Sequence, residues 1–433
     1  MNTNTSLNKA QGFGLNLLTR FAGSNLIDQL KMRKLLEKSL YHGSKSGFKL
    51  LTNTTRQFKP ASNNTKQRLP SANKNLFDLS LSDEQQMMRD SIQRFAADVL
   101  RLAAHAADDN ATFPDEVAQQ ANELGLLFYA LPENYGGVAN EQAAITNILV
   151  AEDLAHGDFS LAASILSNVG VVNAITRWGS EAVQQKYLPA FAEDSPVLAT
   201  FAVLENTPAF NPNNLQTQAR KTDHGYLITG KKSLVILGEK AELFLVAAML
   251  NGKPSMFVVE KNDTIGVHQN PAMGLKACQT VTLDFGNTPA QLLGDDDFDY
   301  QAFLDLGALM WCALAIGTCE AVKEYCIQYA NERVAFGEPI SHRQSVAFMI
   351  ADMAIEIDAM RMLVWNAASL SDAGKPFHRE AYLARLLCNE KSMKIGNDGV
   401  QIIGGHGFTK EHPVERWYRD LRATAVMHAG LHA

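Results

Sequence analysis

A chain of 433 residues, 46% hydrophobic and 20% charged, can build two or three domains on a substantial core and has the profile of a soluble globular protein. The net charge of −7 conceals an asymmetry: residues 1–76 hold 13 Lys/Arg against 2 Asp/Glu, a balance of +11, which leaves −18 for the rest. An acidic body of that kind excludes nucleic acid as the main partner.

Residues 1–76 read as a basic amphipathic extension and linker. Leu17, Leu18, Phe21, Leu26, Ile27 and Leu30 fall near helical spacing, followed by Lys31, Arg33 and Lys34. The reading divides between a solvated tail and peripheral membrane contact through residues 12–50. Residues 60–75, rich in Pro, Ser and Asn, form the linker. The hydrophobic segment of a secretory signal is missing, and no apolar run approaches the ~20 residues that cross a bilayer. A bacterial cytoplasmic location is preferred; the scarcity of acidic residues near the start leaves the mitochondrial matrix as the alternative for a eukaryotic source.

Residues 77–195 are expected to be α-helical. Ser82 and Gln85 make a capping box ahead of Met88, Ile92, Phe95 and Val99, and helical periods continue through Val117–Leu127, Ala143–Ala155, Ala162–Arg177 and Ala182–Phe191. Residues 196–297 change to short β-type runs at 197–204, 226–237, 243–250, 256–260 and 281–285. Helical periodicity returns over 298–433, with a break at Phe336–Ser341. The fold class is therefore α+β, mostly α: an N-terminal helical domain, a compact central β-domain and a C-terminal helical domain, with the N-terminal helical extension in front. Cys312, Cys319 and Cys326 recur every seven residues on one helix face, where they cannot bridge one another and serve as packing residues. No metal site is expected: the cysteines lack zinc-ligand spacing, and His342, His406 and His412 read as turn or packing histidines.

Five segments in order resemble the acyl-CoA dehydrogenase family over roughly 350 residues. They are Pro132-Glu133-Asn134-Tyr135-Gly136-Gly137; Gly179-Ser180-Glu181 with Gln184 and Tyr187-Leu188-Pro189; Arg333-Val334-Ala335-Phe336-Gly337 with Gln344; Gln401-Ile402-Ile403-Gly404-Gly405-His406-Gly407-Phe408; and Pro413-Val414-Glu415 with Arg419-Asp420. The resemblance implies that the central β-domain is a β-barrel and the C-terminal domain a four-helix bundle, with FAD between them, an acyl-CoA or acyl-carrier-protein thioester as substrate, and α,β-desaturation by a base and a flavin. It implies that Arg333 reaches a neighbouring subunit's FAD pyrophosphate, that Phe336 and Gln344 accompany the adenosine, and that Gln401, Gly404, Gly405 and Gly407 allow close approach of the dinucleotide.

At the flavin end the chain departs from the family pattern. The loop that would carry hydroxyls and glycine amides reads Leu204-Glu205-Asn206-Thr207-Pro208-Ala209-Phe210-Asn211, and the strand that covers the flavin reads Gly230-Lys231-Lys232-Ser233-Leu234-Val235-Ile236-Leu237. The family's glutamate base falls on His428, whose ordinary pKa of ~6.5 suits a general base; the alternative base position falls on Gly307, followed by Ala308. Against an imidazole base stands loss of the base altogether, with His428 in a segment expected to fray.

Three functions follow. The first is an FAD-dependent acyl-CoA dehydrogenase using His428, with a weakened flavin site. The second is a degenerate subunit that completes the FAD site of an active relative in a hetero-oligomer; the first reading is compatible with a homo-oligomer. The third is a thioester- or lipid-binding scaffold.

Overall fold

The computed structural model describes residues 81–433 apart from 140–142, 194, 224, 295–297 and 428–429. The predicted extension and linker, with the 12–50 segment, lie outside the described residues, as does His428. The capping box forms: Gln85 N donates to Ser82 Oγ (3.1 Å) and Ser82 N to Gln85 Oε1 (3.0 Å), starting α1 (Asp83–Phe95). A π-turn at Ala96–Leu100 leads into α2 (Arg101–Asn110). Then come α3 (Asp115–Glu123), α4 (Leu126–Ala130), α5 (Ala144–Gly157), α6 (Phe159–Trp178) and α7 (Glu181–Tyr187).

Seven strands follow: β1 (Ala199–Ala202), β2 (Gln218–Thr222), β3 (Gly225–Val235), β4 (Leu243–Leu250), β5 (Lys253–Glu260), β6 (Ile265–Gln269) and β7 (Val281–Leu292). The ladder β4-β5-β7-β3-β2 returns to β4, so the sheet closes into the expected barrel. Closure works because β1 and β2 share one edge of β4, pairing parallel with Leu243–Val246 and Met249–Leu250 respectively. The sequence reading omits β2 and β6; both are short, and β2 (QARKT) presents no apolar alternation because none of its residues is fully buried.

Helix α8 (Tyr300–Glu332) is buried almost all round from Phe303 to Cys319, with α5, α9 (Gln344–Asp372) and α10 (His378–Ile403) packed against it. All five cysteines are buried, and burial pushes the Cys326 thiol up to about 12. The predicted break is a small hairpin, β8 (Val334–Ala335) and β9 (Glu338–Pro339), before α9; α11 (Val414–Leu421) and α12 (Ala423–Val426) follow α10. One expectation is corrected: α6 and α8 are each long and apolar enough to cross a membrane by length and composition, but 94% of the apolar window in each is buried within the fold. Serines and asparagines in α6, and Asp305, Gly307, Gly317 and Thr318 in α8, hide this in the sequence, and the burial of both helices makes them core helices.

Candidate functional site

The predicted nucleotide-facing residues gather at one end of the C-terminal helices. Arg333 caps α8, its N–H donating to Tyr329 O (2.8 Å), and Phe336 and Gly337 turn the hairpin with φ of 56° and 86°. Tyr329 OH donates to Ile403 O (3.4 Å), which brings the end of α8 beside the end of α10 and its glycine turn. Arg333, Gln344, Gln401, Gly404 and Gly405 are exposed; Phe336 is 97% exposed, with the Arg343 guanidinium 5.8 Å from its ring centre, and Phe408 is 89% exposed. The glycines divide by role. Gly404 has φ of 70°, and a Cβ on Gly407 would lie 2.4 Å from Val400 O, so the fold itself requires both. Gly405 has open space around it and no positive φ, so packing does not demand it; its bare backbone is accessible to an approaching group. Such an exposed set, a guanidinium and open amide backbone toward the same end of the bundle, has the chemistry to meet a phosphate-bearing dinucleotide.

The loop expected at the flavin end is anchored by a buried ion pair. Glu205 accepts from Gln216 N (2.7 Å), Thr217 N (2.9 Å) and Lys232 Nζ (2.8 Å), and Lys232 Nζ also donates to Val203 O (3.1 Å). Burial lowers the Lys232 pKa to about 8 against the pull of Glu205. Burial alone would raise that of Glu205, but the Lys232 charge and the two backbone amides outweigh it. Ser233 N donates to Leu204 O (2.8 Å), laying the loop along β3 where its register on β7 shifts between Lys232 and Val235. At that bulge Leu234 and, beyond it, Leu237 adopt left-handed φ of 53° and 50°. Leu204, Ile236 and Leu237 are buried in the main core, and Phe210 and Leu234 pack against it half-buried. The side chains at these positions thus offer a flavin ring no hydrogen bond; polar contact there falls to the backbone.

Gly307 and Ala308 are buried in α8, with no carboxylate at either. Asp305, nearby on the same helix, is engaged by His378 Nδ1 (2.8 Å) and Gln301 Nε2 (3.0 Å), with burial raising its pKa. Sequence reasoning passed over His432, which no spacing or motif marks. Residues 430–433 are buried, not frayed, and they lie between α6 and α8: Asn173 Nδ2 donates to His432 O (3.4 Å), and the Phe303 ring lies 5.4 Å from the imidazole. Trp178 Nε1 can only donate, so at 2.9 Å it makes His432 Nε2 the acceptor and puts the ring proton on Nδ1, which has no hydrogen-bond partner among the described residues. Burial, with the Arg177 charge, lowers its pKa to about 3, so His432 is a neutral imidazole that accepts from Trp178.

The Pro413–Asp420 segment is structural. Arg419 forks onto Asp108 (3.0 and 2.7 Å) and onto Glu415 (2.7 and 3.0 Å). Asp420 accepts from Ser160 Oγ (2.9 Å) and Leu275 N (2.7 Å), and Arg416 Nε donates to Asp158 (3.1 Å), the residue that caps α6. Burial and the nearby Asp158 charge raise the Asp420 pKa to about 7.

Comparison with known proteins places these features in context. Residues 82–195 match the acyl-CoA dehydrogenase N-terminal domain and residues 299–430 the acyl-CoA dehydrogenase C-terminal domain. An acyl-CoA dehydrogenase of Bacillus subtilis is 32% identical over 364 residues, covering 80% of this chain and 95% of that protein. The cyclohex-1-ene-1-carbonyl-CoA dehydrogenase of Syntrophus aciditrophicus is 32% identical over 362 residues, covering 80% of this chain and 86% of that protein. The solved butyryl-CoA dehydrogenase of Megasphaera elsdenii superposes with a TM-score of 0.74 at 29% identity, covering 81% of this chain and 95% of that one.

Proposed function

The chain belongs to the acyl-CoA dehydrogenase family, and from that premise we propose an FAD-dependent desaturation of an acyl thioester, carried out in an oligomer whose members complete one another's nucleotide sites. The observation that carries the oligomeric part is the exposure of Arg333, Phe336, Gln344, Gln401 and Gly405 at one end of the bundle. Phe336, 97% exposed, and the unpacked Gly405 backbone lie toward the end of the bundle that also carries exposed Phe408, a grouping suited to contact with a neighbour. FAD, when bound, accepts the substrate's β-hydrogen as hydride. Within the chain, Arg333 would pair with a neighbour's pyrophosphate, while the Glu205–Lys232 pair holds the loop that faces the chain's own cofactor. His428 is the side chain at the base position, where imidazole would take the α-proton.

Helix α9 supplies the docking face. Its inner face, Met353, Ile357, Met360, Val364 and Ala367, is buried in the bundle, while Phe348, Ile355 and Met362 form an outer stripe at heptad spacing, 63%, 66% and 38% exposed. A helix apolar on two faces has a second surface to cover, and another acyl-CoA dehydrogenase-type chain is the proposed occupant.

The apolar ring-end positions favour one further reading, in which the chain donates Arg333 and the glycine turn to an active relative and binds little flavin itself. Flavin content decides between them. Yellow protein when expressed alone supports the first reading; protein that is colourless alone and yellow only when co-purified with an active relative supports the second. Colourless protein in both cases ends both. Replacing His428 by Ala tests the base: unchanged turnover in a flavin-loaded enzyme rules the imidazole out.

A further inference from the structure

His406, Glu411 and His412 share the turn between α10 and α11, and one ligating atom from each lies within 4.8 Å of the other two. We propose that these three side chains bind a borderline-soft divalent cation such as zinc, with solvent completing the coordination. Two imidazoles and one carboxylate are the donor set of zinc sites that keep an open position.

One donor pair already stands near the spacing such an ion needs, and the third donor lies within 4.8 Å of both. His406 Nδ1 lies 3.0 Å from Glu411 Oε2, near the separation of about 3.3 Å between neighbouring donors on a tetrahedral ion with bonds of about 2.0–2.1 Å. His412 Nδ1 lies 2.6 Å from Tyr325 OH, which engages that nitrogen and would leave Nε2 to ligate. A hydrogen bond on the ring's other nitrogen is what orients metal-bound histidines, and the Tyr325 hydroxyl oxygen can accept it. The rings of Tyr325 and Tyr329 stand 5.9 and 5.6 Å from the imidazole on α8, so His412 is held from two sides.

The backbone is held as well. Thr409 N and Oγ1 both donate to His406 O, at 3.0 and 2.8 Å, and Pro413 stiffens the exit from the turn. Lys410, whose charge would oppose a cation, is drawn onto Asp109. Glu411 is 68% exposed at its side chain and has no Lys or Arg partner among the described residues; its ion-pair-distance contact there is with His406. A His–Glu hydrogen bond closing the turn accounts for His406 and Glu411 but gives His412 and its tyrosine clamp no part.

Titration of the metal-free full-length protein with cobalt(II), and then with zinc(II), tests the proposal. We expect one metal per chain, a visible cobalt band of four-coordinate type, and displacement of that band by zinc. His406→Ala and His412→Ala should each abolish it, and Glu411→Gln should weaken it without disturbing the turn. Tyr325→Phe should weaken binding about tenfold, the effect expected of an outer-shell partner. His342→Ala, which removes an exposed histidine paired with Glu338 elsewhere, should leave binding intact. No cobalt band at micromolar metal, or binding that survives both His406→Ala and His412→Ala, overturns the site. Flavin absorbance recorded on the same samples separates loss of metal from loss of FAD.

Discussion

Lys232, with no exposed side-chain surface, places its ammonium 2.8 Å from the Glu205 carboxylate and so ties the loop after β1 to the middle of β3. Removing one member leaves the other charge buried alone, which costs about 3–5 kcal/mol. Lys232→Met should sit at the low end of that range, because two backbone amides still hold Glu205. Pairing it with Glu205→Gln should recover part of the loss, since no charge is then buried. Thermal midpoints of the single and double variants check this; a double variant as damaged as the sum of the singles would show that the two side chains act independently.

The glycine turn separates folding from binding. Gly407→Ala places a methyl 2.4 Å from Val400 O and should destabilise the protein by roughly 1–3 kcal/mol. Gly405→Ala meets nothing within 4 Å, so its thermal midpoint should match that of the parent. Under the proposed function it should still lower flavin content, because a methyl now covers the open backbone. Equal flavin content in Gly405→Ala and the parent would mean that no cofactor approaches this turn.

How far the sequence could be read depended on how locally each feature is encoded. The Ser82–Gln85 box is a four-residue device and was legible; Phe336-Gly337 marked a break in the helical period, but its pairing as a hairpin was not legible. The β-domain was legible from its apolar runs and its barrel form only through the family resemblance, whereas β2 and β6 were not legible, because exposed strands owe their pairing to neighbours and not to their own side chains. The apolar change at Leu204 and Ile236 was visible as letters, but only the fold shows both absorbed into the core. His432 was illegible: its burial depends on Gly170, Asn173, Trp178 and Phe303, all more than a hundred residues away, coming together around it.

That burial makes His432 a source of acid sensitivity. Its pKa falls from 6.5 to about 3 on folding, so below pH 6.5 the unfolded chain binds the proton that the folded one refuses. Stability due to this residue is therefore full above about pH 6.5 and declines as pH falls toward 3, with a slope approaching about 1.4 kcal/mol per pH unit. His432→Gln keeps an acceptor for Trp178 and removes the titration. The parent should lose stability relative to this variant between pH 6.5 and 4, measured as the difference in unfolding free energy. Parallel profiles would mean that His432 is solvated or charged in the native protein.

The outer stripe of α9 gives a prediction that bears on the proposed function directly. Ile355 is 66% exposed and belongs to no internal core, so Ile355→Lys should change the stability of the isolated chain by no more than about 0.5 kcal/mol. If the stripe is covered by a second chain, the same substitution buries an unpaired ammonium in the contact and should drive the assembly toward smaller species. Mass by light scattering reads the first effect. Flavin content reads its consequence: where a neighbour supplies Arg333, dissociation removes a phosphate contact, so flavin should fall together with mass. Arg333→Ala separates the two effects, lowering flavin while leaving mass unchanged, because Arg333 lies on the hairpin after α8 and not in the stripe. An Ile355→Lys protein that keeps both its mass and its flavin would remove the α9 stripe from the interface.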